Sequence, residues 1–531
     1  MKKCKGLAIF MIMSVLILSG CSKETTVSDK PAFHIWVPLH ANHSTAGVSS
    51  FGDVEVVKEL EKRTGVKVEY TTVPYITAED QRNKFNLLLA SGNLPEAFLW
   101  NNDGNTISRL AQTGVIVELT DLVNQFGDNI KKELNQIGDL KKQTIDDAGK
   151  LWNIPAYTAN LEMAGGLYAR LVIRKDWLDN LGLDMPNTLD EWYTVMKAFK
   201  EKDPNQNGKA DEIPYSLSNG SFNNYSLALL LFNPLGITGG IYQVDGVAKY
   251  GVLDPLYKQG LEFGNKLFKE GLIDADFMSQ SEAQVDKKIL NNQVGIAFGK
   301  PNVRISNYKT AIKDLAPEYN AKLLNFPLSS NGERYAFNEM FAKVNRGMGL
   351  YITSKAKDPK AIMEWINYQF SDEGGRLMYY GIEGVHYDMI DNMPVYKEKV
   401  TDPKIKPTLF ASCVFNWPSK DFEWSLDKIP NEILANWDND AELVSEAVSM
   451  RKEMDISRIW PASVFYTEEE LSVLNSKSTE IGQHLNEMFA KFITGEESFN
   501  KYDDFIDNLY RMGIEEVLSS HQAALDRYNN R

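Results

Sequence analysis

Between Phe33 and Trp100 the residue pattern changes period four times, and this constrains the fold more than any other feature of the chain. Phe33 to Leu39 (FHIWVPL) is a short β-type run. Asp53 to Arg63 (DVEVVKELEKR) carries apolar residues at helical spacing, with Gly65 placed to cap its end. Val66 to Val73 (VKVEYTTV) alternates as a strand. Glu79 to Ala90 (EDQRNKFNLLLA) starts with acids in its first turn and stops before Gly92, as a helix does. Glu96 to Trp100 (EAFLW) is a third strand. A β-α-β-α-β opening predicts a largely parallel, doubly wound sheet, with ligands at the carboxyl ends of its strands. The loops after His40 and Trp100 therefore face the expected site.

The alternation resumes with a helix over Pro255 to Glu270, another over Ala283 to Leu290 and a strand over Val294 to Phe298. From about Thr467 the pattern is almost wholly helical. A chain of 531 residues is too long for one ordinary core, so two or more lobes are expected.

The first residues read as a targeting segment. Lys2, Lys3 and Lys5 precede an apolar run, Leu7 to Leu18, that is short for a membrane span. Leu18-Ser19-Gly20-Cys21 follows directly and resembles a bacterial lipobox, which implies a diacylglyceryl thioether on Cys21 and cleavage before it. Residues 1–20 are thus expected to be a signal peptide and 21–30 a flexible polar tether. Cleavage removes three lysines and no acids, taking the formal net charge from −15 to −18. That balance argues against a nucleic-acid partner. Of three cysteines, Cys4 leaves with the signal and Cys21 is lipidated, so Cys413 stands alone and no disulfide forms within the mature chain.

Several segments together resemble the extracellular solute-binding proteins of ABC sugar importers, in the large lipoprotein branch that includes alginate-oligosaccharide binders. They are Ile173 to Tyr193 (IRKDWLDNLGLDMPNTLDEWY), Asp203 to Pro214 (DPNQNGKADEIP) and Gly381 to Tyr387 (GIEGVHY), supported by Gly149 to Pro155 and Met488 to Tyr510. The resemblance implies a two-lobe periplasmic-binding-protein-like α/β fold of type II, each lobe a mostly parallel sheet flanked by helices, with a hinge between them. It implies a monomer that captures a carbohydrate, expected to be an oligosaccharide, and delivers it to ABC permease subunits while its lipid anchor holds it on the membrane. Lobe boundaries are set at 31–158 plus 346–395 for the first and 159–345 plus 396–531 for the second.

Asp203, Asn205, Asn207 and Asp211 place side-chain oxygens at positions one, three, five and nine of a loop with Gly208 at six, the front half of an EF-hand-like calcium loop. Position twelve is Pro214, so Glu212 is the candidate closing carboxylate, and Lys209 offers only its backbone carbonyl. The related alginate binders carry a calcium loop of this pattern. A polar Asn/Gly turn is the plainer alternative. His34, His40 and His43 are irregularly spaced with no thiol or acid close in sequence, which argues against zinc. No nucleophile elbow, His-Glu-x-x-His or phosphate-binding loop occurs, so binding is favoured over catalysis.

Sugar recognition needs rings for C–H faces and planar polar groups for hydroxyls. The candidates at predicted strand ends or in loops are Trp36, Trp100, Trp152, Tyr157, Arg170, Arg304, Trp417 and Trp460. Trp177, Trp192 and Trp365 lie in apolar helical patterns and are assigned to the core. The competing readings are a binder of peptides or other solutes, an extracytoplasmic hydrolase, and a calcium-dependent adhesion lipoprotein.

Overall fold

The computed structural model describes residues 32–39, 49–74, 78–101, 104–136, 139–158, 170–218, 223–299, 303–337, 345–390, 393–397, 418–419, 441–461 and 463–531. Two sheets organise them. The first contains β1 (Phe33–Pro38), β2 (Val68–Val73), β3 (Ala97–Asn101) and β4 (Ile154–Thr158). The second contains β5 (Arg170–Arg174), β6 (Ile213–Ser216), β7 (Val294–Gly299) and β8 (Ala321–Leu324). The chain then returns to the first sheet with β9 (Asn345–Ile352) and β10 (Pro418–Ser419). The spatial orders are β10-β4-β9-β3-β1-β2 and β8-β5-β7-β6.

The opening unit forms as its pattern predicts. Helix α1 (Glu55–Thr64) joins β1 to β2, and α2 (Ala78–Ser91) joins β2 to β3. Gly65 ends α1 in the left-handed region at φ 70°, where a side chain is disfavoured, and its N–H closes on the Glu61 carbonyl. Helix α3 (Gly104–Gln112) follows β3, and α4 (Leu189–Glu201) precedes β6. Thr188 and Glu191 form a reciprocal capping box at the start of α4. Helices α5 (Leu256–Lys269) and α6 (Glu282–Leu290) lead to β7, and α7 (Glu468–Thr494) and α8 (Ile514–Asn529) close the chain. Among the described residues no helix is long and apolar enough to cross a membrane.

Neither sheet is fully parallel. In the first, β9 runs against both β3 and β4 while the other pairings are parallel. In the second, β5 runs against both β7 and β8. The reversed strands are the two through which the chain enters a sheet after crossing from the other one. Strand β4 ends at Thr158, and β5 starts at Arg170 opposite Gly299, the last residue of β7. Strand β8 ends at Leu324, and β9 starts at Asn345 opposite Tyr157, near the end of β4. Both crossovers thus connect the carboxyl end of one sheet to the carboxyl end of the other, and the strand that arrives there must run backwards.

Each sheet has its own core. One is built from β1, β3, β4, β9 and the helix Pro359–Gln369, and includes Trp365 at 1 % exposure, edge-on to Phe33. The larger one packs α4, α5, α7 and α8 with Trp177 and Trp192, both fully buried. The three tryptophans assigned to the core from their helical spacing are in it.

Candidate functional site

Both crossovers join the carboxyl edges of the two sheets, and the candidate site lies at those edges. In the first sheet, α1 leads from β1 outward to β2, and α2 brings the chain back to β3 on the other side of β1. The strand order therefore reverses between β1 and β3, where an open α/β sheet leaves a crevice at its carboxyl edge.

Trp100 stands one residue from the end of β3, half-buried. Its ring lies on Phe85 of α2, with centroids 4.0 Å apart and planes 15° from parallel. Trp36 closes against both rings, at 5.8 Å from Trp100 and 5.6 Å from Phe85. Phe98 and Tyr351 stack beneath at 5.0 Å. One face of Trp100 is thus held by packed aromatics, and the ring stays half-buried at the carboxyl end of the strand. A ring fixed in this way can accept an apolar sugar face with little further loss of freedom.

This topology matches known proteins. The family model for bacterial extracellular solute-binding proteins matches residues 50–376, more than half of the chain. The chain belongs to the bacterial extracellular solute-binding proteins. It is 25% identical to the fructooligosaccharide ABC transporter substrate-binding protein FusA of Streptococcus pneumoniae serotype 4 (strain ATCC BAA-334 / TIGR4), over 98% of this chain and 97% of that one. It is 28% identical to lipoprotein LipO of Bacillus subtilis (strain 168), over 73% and 74% of the two chains. Among solved structures, alginate-binding protein AlgQ2 without calcium ion superposes with a TM-score of 0.70 at 22% identity, covering 94% of this chain and 99% of that one. A FusA EF-hand mutant in complex with fructo-nystose superposes equally well, at 0.70, 23%, 94% and 99%. The fold of this solute-binding protein is accordingly the two-lobe periplasmic-binding-protein-like one, with the sheet around β1 in one lobe and the sheet around β7 in the other.

The other ring and guanidinium candidates of the solute-binding protein are dispersed. Trp36 is 4 % exposed and belongs to the packing under Trp100 rather than to a ligand surface. Trp152 is half-buried, but Ile154 pairs with Leu350, which pairs with Leu99, so Trp152 is level with the amino end of β3. Its indole N–H donates to Asp146 Oδ2 at 2.7 Å. Tyr157 sits at the carboxyl end of β4, beside Asn345 and Pro418. Trp460 rests edge-on against His521, 5.3 Å away, in the second lobe. Trp417, His40, His43 and Cys21 with its leader and tether lie outside the described residues. His34 Nε2 is bonded to Thr71 Oγ1 at 2.7 Å.

Both arginines reach the carboxyl edge of the second sheet but are tied to protein atoms. Arg170, 2 % exposed, donates to the Ala447 carbonyl at 3.2 Å and contacts Met454 Sδ. Arg304, also 2 % exposed, donates to the Phe298 carbonyl and to Asp286 Oδ1, the latter at 3.1 Å. Gly299 makes room for it, since a Cβ there would lie 2.5 Å from the guanidinium carbon. Both guanidiniums, expected among the ligand contacts, are thus held by protein groups instead. Arg174, Arg304 and Tyr319 line a cavity of about 10 Å³, which is the lower limit for one water and far too small for a sugar.

A polar cluster supports the carboxyl end of β6, and no motif in the sequence announced it. Asp274, 5 % exposed, accepts from Ser216 Oγ at 2.6 Å, from Gln280 Nε2 at 2.8 Å and from Lys288 Nζ at 2.8 Å. Burial alone pushes its carboxyl up, but the bonds from Lys288, Ser216 and Gln280 outweigh that and hold it below the ordinary aspartate value. Lys288 also reaches Asp276 and Gln280, and Gln280 donates to the Leu217 carbonyl at 2.7 Å. The chain leaving β6 toward the crevice is therefore pinned by one buried ion pair.

The loop between α4 and β6 has a distinctive backbone. Asp203, Gln206 and Gly208 take φ of 47°, 54° and 74°. The carboxylate of Asp203 accepts the N–H groups of Asn207 and Gly208, each at 3.0 Å. Asn205 Oδ1 accepts the Asn207 N–H at 3.0 Å, and Asn207 Oδ1 accepts that of Lys209 at 2.7 Å. Asp211 receives Asn207 Nδ2 at 3.0 Å and Gln293 Nε2 at 3.1 Å. Glu212 is 1 % exposed and its Oε1 has no hydrogen-bond partner. Burial pushes its carboxyl up; its own N–H opposes this, and the carboxylates of Asp203 and Asp211 add to it. Among the described residues no three acids, histidines or cysteines lie close enough to hold a metal by themselves.

Proposed function

We propose that this protein captures a carbohydrate, an oligosaccharide, outside the cytoplasmic membrane and presents it to the permease of an ABC importer. The observation that carries the reading is the Trp100 platform at the reversal of strand order, where a ring backed by Phe85 stands at the carboxyl edge of the sheet. Full-length similarity to a fructooligosaccharide-binding relative supports the same class of ligand. Capture works by closure: the ligand binds between lobes and stabilises the closed arrangement, which the permease distinguishes from the open one. Catalysis is no part of this reading. Trp100 and Tyr157 are the leading ligand residues, with Trp417 and Trp460 secondary. Residues 31–158 plus 346–395 make the first lobe and 159–345 plus 396–531 the second, with Pro418–Ser419 returning to pair with β4.

Lipid on Cys21 would hold the protein, as a monomer, on the outer face of the membrane; a lipoprotein among its relatives supports this. One acyl chain anchors only weakly, so two or more are needed. Calcium fits the 203–212 loop: the orphaned, buried Glu212 oxygen faces the repulsion of two nearby carboxylates, and a cation supplies what the hydrogen bonds do not. Its donors would be Asp203, Asn205, Asn207, Asp211 and Glu212, with the Lys209 carbonyl.

Thermal-shift and calorimetric screening against kestose, nystose, galacturonan and alginate oligomers tests the ligand class. A native-state ligand raises stability in proportion to RT ln(1 + [L]/Kd). A saturable rise with at least one oligosaccharide, and no cleaved product after incubation, is expected. Silence across a broad sugar panel, or product formation, overturns the reading.

A further inference from the structure

Phe465 and Tyr466 are neighbours in the chain whose side chains enter different lobes. Val464 and Tyr466, 2 % and 8 % exposed, belong to the core of the second lobe. Phe465, 6 % exposed, is packed into the aromatic cluster of the first with Trp36, Phe85, Phe98 and Tyr351. Successive side chains of a non-helical segment point to opposite sides, so a segment running between two lobes can be gripped by both. The Tyr466 N–H donates to Ser108 Oγ of α3 in the first lobe, and the Tyr466 hydroxyl meets His521 Nδ1 of α8 in the second at 2.9 Å.

A partly exposed ion cluster flanks this segment. Asp147 belongs to a first-lobe loop whose Leu140 and Leu151 are in that lobe's core. Its Oδ2 accepts Arg527 Nε at 2.7 Å, and its Oδ1 accepts Arg531 Nε and Nη2 at 2.9 and 2.6 Å. Arg527 in turn holds Glu470 at 2.8 and 2.5 Å and the Phe465 carbonyl at 3.2 Å. The Arg531 side chain is 2 % exposed and also donates to the carbonyls of Ile145 and Ser463, each at 2.9 Å.

We propose that this seam is the pivot of lobe closure: Phe465 and Asp147 stay docked in the open and closed forms, and the lobes rotate about the line they define. Separating them would expose a buried ring and part the Asp147 carboxylate from two guanidiniums; the first is the larger cost, and the second adds to it because Arg531 itself is buried. Rotation about them costs neither. The seam then restricts the ligand-free protein to a narrow range of lobe angles, and it sets ligand affinity through that range without touching ligand. The inference rests on the two-lobe fold and does not depend on which solute is captured.

The test needs no ligand. Spin labels at Leu87→Cys in the first lobe and Val247→Cys in the second, both exposed positions, report the interlobe distance in a Cys413→Ser background. The seam predicts a narrow distance distribution for the parent. Asp147→Asn and Phe465→Ala should each broaden it and add longer distances, and Phe465→Leu should restore much of the parent width. If Phe465→Ala does not fold, Asp147→Asn, which keeps the packing, decides alone. A folded Asp147→Asn or Phe465→Ala protein with the parent distribution overturns the proposal.

Discussion

Phe85 lies flat beneath Trp100, 4.0 Å from centroid to centroid, although the two come from a helix and a strand of opposite character. Phe85 is 1 % exposed and is the one fully buried side chain of α2 among its described residues. The single aromatic of α2 therefore fixes the orientation of the ring offered to ligand.

Trp100→Ala is expected to leave the fold intact and weaken oligosaccharide binding by about 1–3 kcal/mol, the usual cost of losing a large apolar contact. Phe85→Ala should do both kinds of harm, destabilising the first lobe by about 3–5 kcal/mol as large core truncations do and weakening binding through the loosened Trp100. Calorimetry with the best ligand of the panel, beside denaturant unfolding, separates the two effects. Full affinity in a folded Trp100→Ala protein would return Trp100 to the core.

Calcium should raise the melting temperature of the wild type and have little effect on sugar affinity, because the 203–212 loop joins α4 to β6 away from the crevice end of β6. Magnesium should substitute poorly, since it demands a smaller octahedral shell and dehydrates reluctantly. Combining Asp203→Ala with Asp211→Ala should abolish the calcium-dependent rise. A melting temperature insensitive to chelation, with no tightly held metal found by elemental analysis, would leave the loop as a polar turn.

Removing Lys288 tests the support under β6. Lys288→Met leaves the Asp274 carboxylate buried without its cation and is expected to cost about 3–5 kcal/mol, the range for breaking a buried pair from one side. The pH dependence has a definite sign. The folded-state value of Asp274 is depressed, so its contribution is present above the ordinary aspartate range and lost as pH falls through the lower folded value. Denaturation curves below pH 5 should therefore be less steep in pH for Asp274→Asn than for the parent.

His521 gives a second acid-side signature. Burial against Tyr466 and Trp460 lowers its value from 6.5 to about 4, with the Glu470 carboxylate pulling weakly the other way. The unfolded chain takes up the proton first, so stability should decline as pH falls from about 6.5 to about 4, by up to about 3 kcal/mol in total. His521→Gln should flatten that decline while Tyr466 keeps a hydrogen-bond partner. An unchanged slope between those pH values would show that the imidazole is solvated.

Calcium and lipid were suggested by short-range patterns, and so were the elements themselves, whereas the sugar came from the family resemblance. The strands and helices from Phe33 to Asn101 fall within two residues of where side-chain period and caps place them, because both signals are local. The same holds for Trp177, Trp192 and Trp365, whose apolar helical faces have to be buried somewhere. What local pattern left open was which distant residue would meet each side chain. Trp36 and Trp100 look alike in sequence, yet two residues of depth along paired strands bury one and leave the other at the edge. Arg170 and Arg304 have the chemistry of ligand donors, but carbonyls and a carboxylate around β7 reached them first. The reversal of β5 and β9 follows from where a crossover lands, not from anything within those strands. Phe465 and Tyr466 were divided between two cores, and Asp147 was joined to Arg531 across 384 positions, because packing is decided by proximity after folding, whereas sequence period records only which residues must leave water.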